Sequence, residues 1–351
     1  MTRVYPLSVP ILDATIAGMP GASPYERDVK FEDTLRPGSF DEFIGQRKAV
    51  ANLQVAIKAA RKRKEALDHV LFSGLPGLGK TTLARLIAYE MKAQLHTTMG
   101  PILKRPGDLV GTLTKMEEGD VLFIDECHRM LPDVEEFLYS AMEDFQISIS
   151  MESGIQGRTI NLPLKKFTLV GATTREGLLS EPFRARFGIL EKLEWYPTDD
   201  LVRILHRSSK ILRCEIDPDS AGLLAQRSRG TPRVANRYLR RVRDLAEVKS
   251  AKKITRPIAL EALGMLGVDD AGLEEMDRKI LKTLVTHSGP VGLKTLAVSV
   301  GEEEGTIEEV YEPYLIQNNF LVRTARGRKA TEKAARHMGV ETVNDEQQRL
   351  F

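Results

Sequence analysis

The sequence predicts an α/β chain: a parallel sheet covered by helices, then an all-helical domain, then a C-terminal winged helix. Three observations carry that expectation. Apolar runs of strand length, at His69–Phe72, Val121–Glu126 and Phe167–Thr174, alternate with helical segments, as buried parallel strands do. From Asp199 only helical periodicity is seen. After residue 271 three helical segments lead into two short runs around a glycine turn.

The totals set bounds. A chain of 351 residues has room for two or three well-buried cores. Its 42% hydrophobic and 28% charged content reads as ordinary globular protein. Net charge is only +2, so any anion-binding surface has to be local. Cys127 and Cys214 make neither a disulfide framework nor a metal-ligand spacing, which fits a reducing cytoplasm. No run approaches the roughly 20 apolar residues of a membrane span. In the first 30 residues, Pro6, Pro10 and Asp13 interrupt a short apolar stretch, so 1–30 reads as a flexible leader rather than a signal peptide.

The first folded domain is expected over 31–198. A helix over 50–66 carries Lys58, Arg61, Lys62, Arg63 and Lys64 on its outer face. The first strand then runs into GLPGLGKTT, Gly74–Thr82, which fits G-x-x-x-x-G-K-[ST] between a strand and a helix. Gly74, Gly77 and Gly79 let backbone N–H groups turn inward around phosphate, and the helix beginning at Lys80, Thr81 and Thr82 aims its positive end at the same anion. Lys80 is expected to bridge the terminal phosphates and Thr81 to offer its hydroxyl to Mg²⁺. Asp125 and Glu126 emerge where the second strand ends, the place open α/β sheets put ligands. Asp125 is the second metal candidate; Glu126 is placed to activate water, which favours hydrolysis of ATP over transfer to a substrate. Cys127 and His128 lack metal or nucleophile partners and read as a packing residue and a polar neighbour. The third strand delivers Thr174 to the same site. PFRARFG and GTPRVANR offer arginines that surface ion pairs would also explain.

Between the second and third strands, Ile147, Ile149 and Met151, then Ile160 and Leu162, alternate with polar residues around Gly154 and Gly157. That is a hairpin, about 146–164, set into the core. It either packs on its own domain or docks a protein. The helical domain spans 199–270, with segments 199–213, 217–229, 231–250 and 255–266 and N-caps at Asp217 and Thr255. The winged helix spans 271–340, with 341–351 as a tail. Pro313 is expected to bend its last helix, which also carries Glu302, Glu303, Glu304, Glu308, Glu309 and Glu312. Six carboxylates repel phosphate, so the wing arginines Arg323, Arg326 and Arg328 are the better DNA contacts, reading backbone rather than sequence. Lys333 and Arg336 read as a solvated face.

The residues carry a specific likeness. LRP at 35–37, EFIGQ at 42–46, GLPGLGKTTLA, EEGDVLFIDECHR, AMEDF at 141–145, FTLVGATTR, FRARFG, RSRGTPRVANRYLRRVRD at 227–244, GPVGL and EPYLIQ resemble the RuvB family over about 31–340. The resemblance implies an AAA+ P-loop NTPase core with a helical lid, and an ATP-driven helicase that moves Holliday junctions in recombination and repair. It implies that Arg186 is a finger acting on a neighbour's ATP, in a homo-hexamer. Sensor arginine Arg233 reaches the nucleotide from the lid, Thr174 is the other sensor, and Leu35, Arg36, Ile44 and Tyr196 line the adenine pocket. Glu143, Asp144 and Phe145 also match nucleotide-site positions. A RuvA-type protein is the implied partner of the hairpin, with a RuvC-type resolvase as a further partner. Glu304 stands where the family often has arginine, Ser140 where it often has proline, and the leader is longer than expected.

Two other classes remain open at this level. One is a clamp-loader or initiator-like ATPase; the other is a transcriptional regulator reading an operator, against which the acidic last helix counts.

Overall fold

The computed structural model describes residues 31–150, 159–287 and 289–340. The expectations for the leader 1–30, for Met151, Gly154 and Gly157, and for the tail 341–351 lie outside the described residues. Of the described residues, 31–36 belong to a unit of their own. In it, 31–34 make a helical turn closed by Thr34 Oγ1 donating to the Phe31 carbonyl (2.7 Å), and Arg36 pairs with Asp33 (2.9 Å).

From residue 37 on, the centre is a five-stranded parallel sheet. Its strands are β1 (Val70–Ser73), β2 (Leu95–Met99), β3 (Val121–Asp125), β6 (Thr168–Thr173) and β7 (Ile189–Lys192), in the order β2-β3-β6-β1-β7. The two-residue period of a strand sends alternate side chains to opposite faces. Val70, Phe72, Val121, Phe123, Val170 and Ala172 pack in one core, with helices Arg47–Arg63 and Lys80–Met91. Leu71, Leu122, Ile124 and Leu169 pack in the other, with helix Pro132–Glu143. Burial on both faces explains why β1, β3 and β6 read as continuous apolar runs. The edge strands β2 and β7, LHTTM and ILEK, are only partly buried and carry mixed residues, so sequence pattern missed them. His69 is a satisfied core histidine. Its Nδ1 accepts from Leu169 N (2.8 Å), which leaves Nε2–H to donate to the Met142 carbonyl (3.0 Å).

The inserted ladder pairs β4 (Gln146–Ser150) with β5 (Thr159–Pro163), antiparallel, in the register Ile147↔Leu162 and Ile149↔Ile160. Helices Thr198–Ile211, Pro218–Arg227, Pro232–Val248 and Arg256–Met265 build the lid. Asp217 caps the second of them by accepting from Ser220 N (2.6 Å), whereas Thr255 holds its N-cap position without a side-chain bond. One expectation is corrected: strands do not vanish after Asp199. β8 (Glu215–Ile216) and β9 (Lys253–Ile254) pair in parallel, too short to show a period.

The winged helix packs Glu275–Thr286, Leu293–Val300 and a long last helix around its own core. In that last helix a π turn, Ile307–Tyr311, precedes Glu312–Gln317. Pro313 has no N–H to offer the ladder and its ring crowds the carbonyl four residues back, so the expected bend takes the form of a widened turn. The wing pairs β10 (Leu321–Thr324) with β11 (Gly327–Ala330), and Arg328 bridges to Val291. Gly327 has φ +136°, and a Cβ there would lie 2.3 Å from the Val291 carbonyl oxygen, so only glycine closes this wing.

Candidate functional site

The loop after β1 is held at the sheet's C-terminal edge by Gly74 N donating to the Thr173 carbonyl (3.2 Å). Lys80 opens the next helix and is 6% exposed. Its ammonium donates to the Gly74 and Leu75 carbonyls (2.6 and 3.0 Å). Burial lowers its pKa, while the charges of Glu126 and Asp125 oppose that shift. A buried cation facing loop carbonyls, inside a glycine turn, is a cradle that fits polyphosphate. Thr81 Oγ1 donates to Asp125 Oδ2 across 3.5 Å, so two hard oxygens meet beside it. Among the described residues no group of three or more His, Cys, Asp or Glu could hold a metal alone. A divalent ion here would share phosphate oxygens, which suits Mg²⁺. Lys80→Ala is expected to weaken ATP binding about 10- to 100-fold, the worth of a charged hydrogen bond or two, read by titration of a fluorescent ATP analogue.

Glu126 follows at φ +48°, a left-handed conformation that side chains adopt at a cost. There its carboxylate accepts from Thr174 Oγ1 (3.2 Å) and lies 3.3 Å from His128 Nδ1, which also meets Thr173 Oγ1 (3.0 Å). Burial, then the neighbouring Asp125, raises the Glu126 pKa, and burial lowers that of His128. A carboxylate with a raised pKa, fixed by a hydroxyl, is equipped to take a proton from water.

The lid closes one side of the loop. A Cβ on Gly77 would meet Thr231 Cγ2 at 2.8 Å and Arg233 Cβ at 2.9 Å, and the charge of Arg233 bears on Lys80. Tyr196 donates its hydroxyl to the Leu78 carbonyl (3.2 Å) and takes the Gly230 carbonyl on its N–H (2.9 Å). Its ring packs so tightly on Gly45, next to half-buried Ile44, that a Cβ there would lie 2.3 Å away. Lys80, Thr81, Asp125, Glu126, Thr174, Arg233 and Tyr196 therefore converge. Leu35 and Arg36 lie in the separate N-terminal unit. Arg186 is engaged elsewhere: it pairs with Glu143 (2.9 Å), donates to the Pro182 carbonyl (2.8 Å) and covers the Tyr139 ring at 4.4 Å. Asp144 ends the helix that carries Glu143, and Phe145 packs edge-on against Phe167.

Two groups of residues differ from the sequence expectation. Ile147 is 0% exposed and belongs to the core under β3, because it stands at the hairpin's base; it is not available to a partner. Leu162 also leans on that core, whereas Ile160 is 41% exposed. In the wing, Arg328 is 14% exposed at the side chain and donates to Glu312 (2.7 Å) and Glu308 (2.7 Å). Glu312 is fully buried and also takes Arg323 Nε (2.6 Å). Arg328 thus holds the wing to the last helix instead of standing free for phosphate. Arg323 is 50% exposed, and Arg326 has no ion pair among the described residues. Of the six carboxylates expected on the last helix, Glu302 and Glu303 precede it, since the helix begins at Glu304, and three of the others are neutralised within the chain. Glu308 and Glu312 take wing arginines, and Arg175, a residue the sequence reading passed over, takes Glu308 and Glu309.

Residues 35–193 match the family described as the Holliday junction DNA helicase RuvB P-loop domain. Residues 196–269 match the RuvB AAA lid domain and 270–339 the RuvB C-terminal winged helix domain. The Holliday junction branch migration complex subunit RuvB of Salinibacter ruber is 57% identical over 312 residues, 88% of this chain and 91% of that protein. Its counterpart in Kosmotoga olearia is 55% identical over 89% of this chain and 92% of that protein. Among solved structures, the Thermotoga maritima RuvB Holliday junction branch migration motor matches with a TM-score of 0.81 at 50% identity, covering 88% of this chain and 99% of that one.

Proposed function

Because the chain belongs to the RuvB family, we propose that it hydrolyses ATP to drive branch migration of Holliday junctions in recombination and repair. It works as an AAA+ translocase on duplex DNA without sequence preference, in a homo-hexameric ring beside a RuvA-type junction-binding protein, with a RuvC-type resolvase as a further partner. Its setting is the cytoplasm; among the described residues no helix is long and apolar enough to cross a membrane. The observation that carries the reading is the meeting of Thr81, Asp125 and Glu126 at the end of β3 beside a buried Lys80. A clamp-loader or initiator-like role is not favoured, since all three domains match RuvB's own.

The chemistry follows from these side chains. The loop N–H groups and Lys80 orient the phosphates, and Thr81 and Asp125 would hold Mg²⁺. When bound, that ion neutralises charge on the phosphate oxygens. Glu126, fixed by Thr174, takes the proton of the attacking water. Arg233 links the lid to phosphate contact, so lid position can follow nucleotide state. Arg186, turned to the Glu143 patch, serves the neighbouring subunit's nucleotide.

The test is a synthetic four-way junction with ATP, with and without a RuvA-type protein. ATP-dependent strand separation, stronger with the partner, is expected; ATP turnover with no junction processing under either condition would return the reading to a loader. In the same system Arg326→Ala should weaken duplex binding equally across sequences and flatten the salt dependence by about one phosphate contact, roughly 0.9 in the log–log slope. An unchanged slope would take Arg326 out of the DNA contact.

A further inference from the structure

Among the ionic contacts that join the winged helix to the other described residues, two differ sharply in character. The first, to the lid, is buried. Arg229 pairs with fully buried Asp277, donates Nε to the Gly272 carbonyl (2.9 Å) and lies 4.9 Å over the Tyr314 ring. Asp277 also accepts from Glu274 N (2.7 Å). Breaking such a pair strands a charge out of water, so parting the lid from the winged helix here is costly.

The second contact, to the ATPase core, is half exposed. Arg175 Nη2 donates to Glu308 (3.2 Å) and its Nε pairs with Glu309 (2.9 Å). Pairs of this kind contribute little to stability, so they can open and close within a working cycle. Their position is what gives them consequence. Arg175 directly follows Thr174, and its backbone N–H donates to Thr173 Oγ1 (2.9 Å). Those two threonines hold His128 and Glu126. At the other end Glu308 takes Arg328 (2.7 Å) and lies 3.8 Å from Arg323 of the wing. Glu308 and Glu309 sit in the π turn, where the widened helix brings two consecutive carboxylates onto one guanidinium.

We propose that Arg175 is a positioning residue for ATP hydrolysis, latched by Glu308 and Glu309, through which the DNA held by the winged helix sets the rate at Glu126. The inference rests on the DNA-motor reading above. Phosphate drawn to Arg323 changes the charge around Glu308, and with it the hold on Arg175; the strand end carrying Thr173 and Thr174 follows.

The experiment measures kcat and KM for ATP with and without duplex DNA, together with DNA affinity, for Glu309→Gln, Arg175→Ala and Arg175→Lys in the full chain. In Glu309→Gln and Arg175→Ala the ratio of DNA-stimulated to DNA-free turnover should fall about 2- to 30-fold, the usual range for residues that carry coupling. KM for ATP and DNA affinity should stay close to the parent's, and Arg175→Lys should recover part of the ratio. An unchanged ratio in both variants overturns the latch, as does a loss that tracks KM or DNA affinity. A parent whose turnover ignores DNA overturns the motor reading, and the latch with it; a responsive parent with equally responsive variants overturns the latch alone.

Discussion

Arg186→Ala should reduce ATP turnover by about 10³- to 10⁵-fold, the effect of removing an arginine finger, while leaving ATP binding by the isolated subunit intact. The geometry separates the two effects. Arg186 closes the short helix Glu181–Ala185, and its own contacts are Glu143, the Pro182 carbonyl and the Tyr139 ring. Its Nε is buried without a hydrogen-bond partner among the described residues, and Glu143 is 63% exposed. Truncation therefore leaves an exposed carboxylate, which costs the fold little. The decisive measurement mixes Arg186→Ala subunits with Lys80→Ala subunits. A finger acting in trans predicts that some mixed neighbours pair an intact loop with an intact finger and recover turnover that neither variant has alone. No recovery at any ratio, with both variants still assembling, would move Arg186 to a structural role beside Tyr139.

How far the sequence reached depends on what each residue has to satisfy. The loop Gly74–Thr82 was legible because phosphate binding demands glycines, a lysine and a hydroxyl at fixed spacing. The strands β1, β3 and β6 were legible because burial on both faces leaves only apolar residues. The strands β2 and β7 were not, since an edge position tolerates His96, Thr97 and Glu191. The hairpin was found, but not the depth at which it sits, and that depth turns Ile147 from a docking residue into core. The ion pairs of Arg328 were out of the sequence's reach for a related reason. A basic run and an acidic helix look like two separate surfaces in the sequence, and only folding places them against each other as ion pairs. Arg175 was legible only as the end of FTLVGATTR and not as an ion-pair partner, because its partners lie more than a hundred residues away.

Glu126→Gln is the sharper probe of the chemistry itself. It should bind ATP as the parent does and hydrolyse it about 10²- to 10⁴-fold more slowly, the contribution of a positioned general base. Glutamine keeps the size of the side chain, and its amide oxygen can still accept from Thr174 Oγ1, the 3.2 Å contact that orients the carboxylate. It also keeps the demand on the backbone, which holds residue 126 at φ +48° whichever side chain is present. What it removes is the site that accepts a proton from water. Alanine would remove the Thr174 contact as well, and its result would mix lost basicity with lost position. Single-turnover hydrolysis with saturating ATP, alongside equilibrium ATP binding, separates the two. Hydrolysis within about tenfold of the parent falls short of what a general base contributes; it would mean that another group takes the proton, and His128, 3.3 Å from the same carboxylate, would be the residue to substitute next.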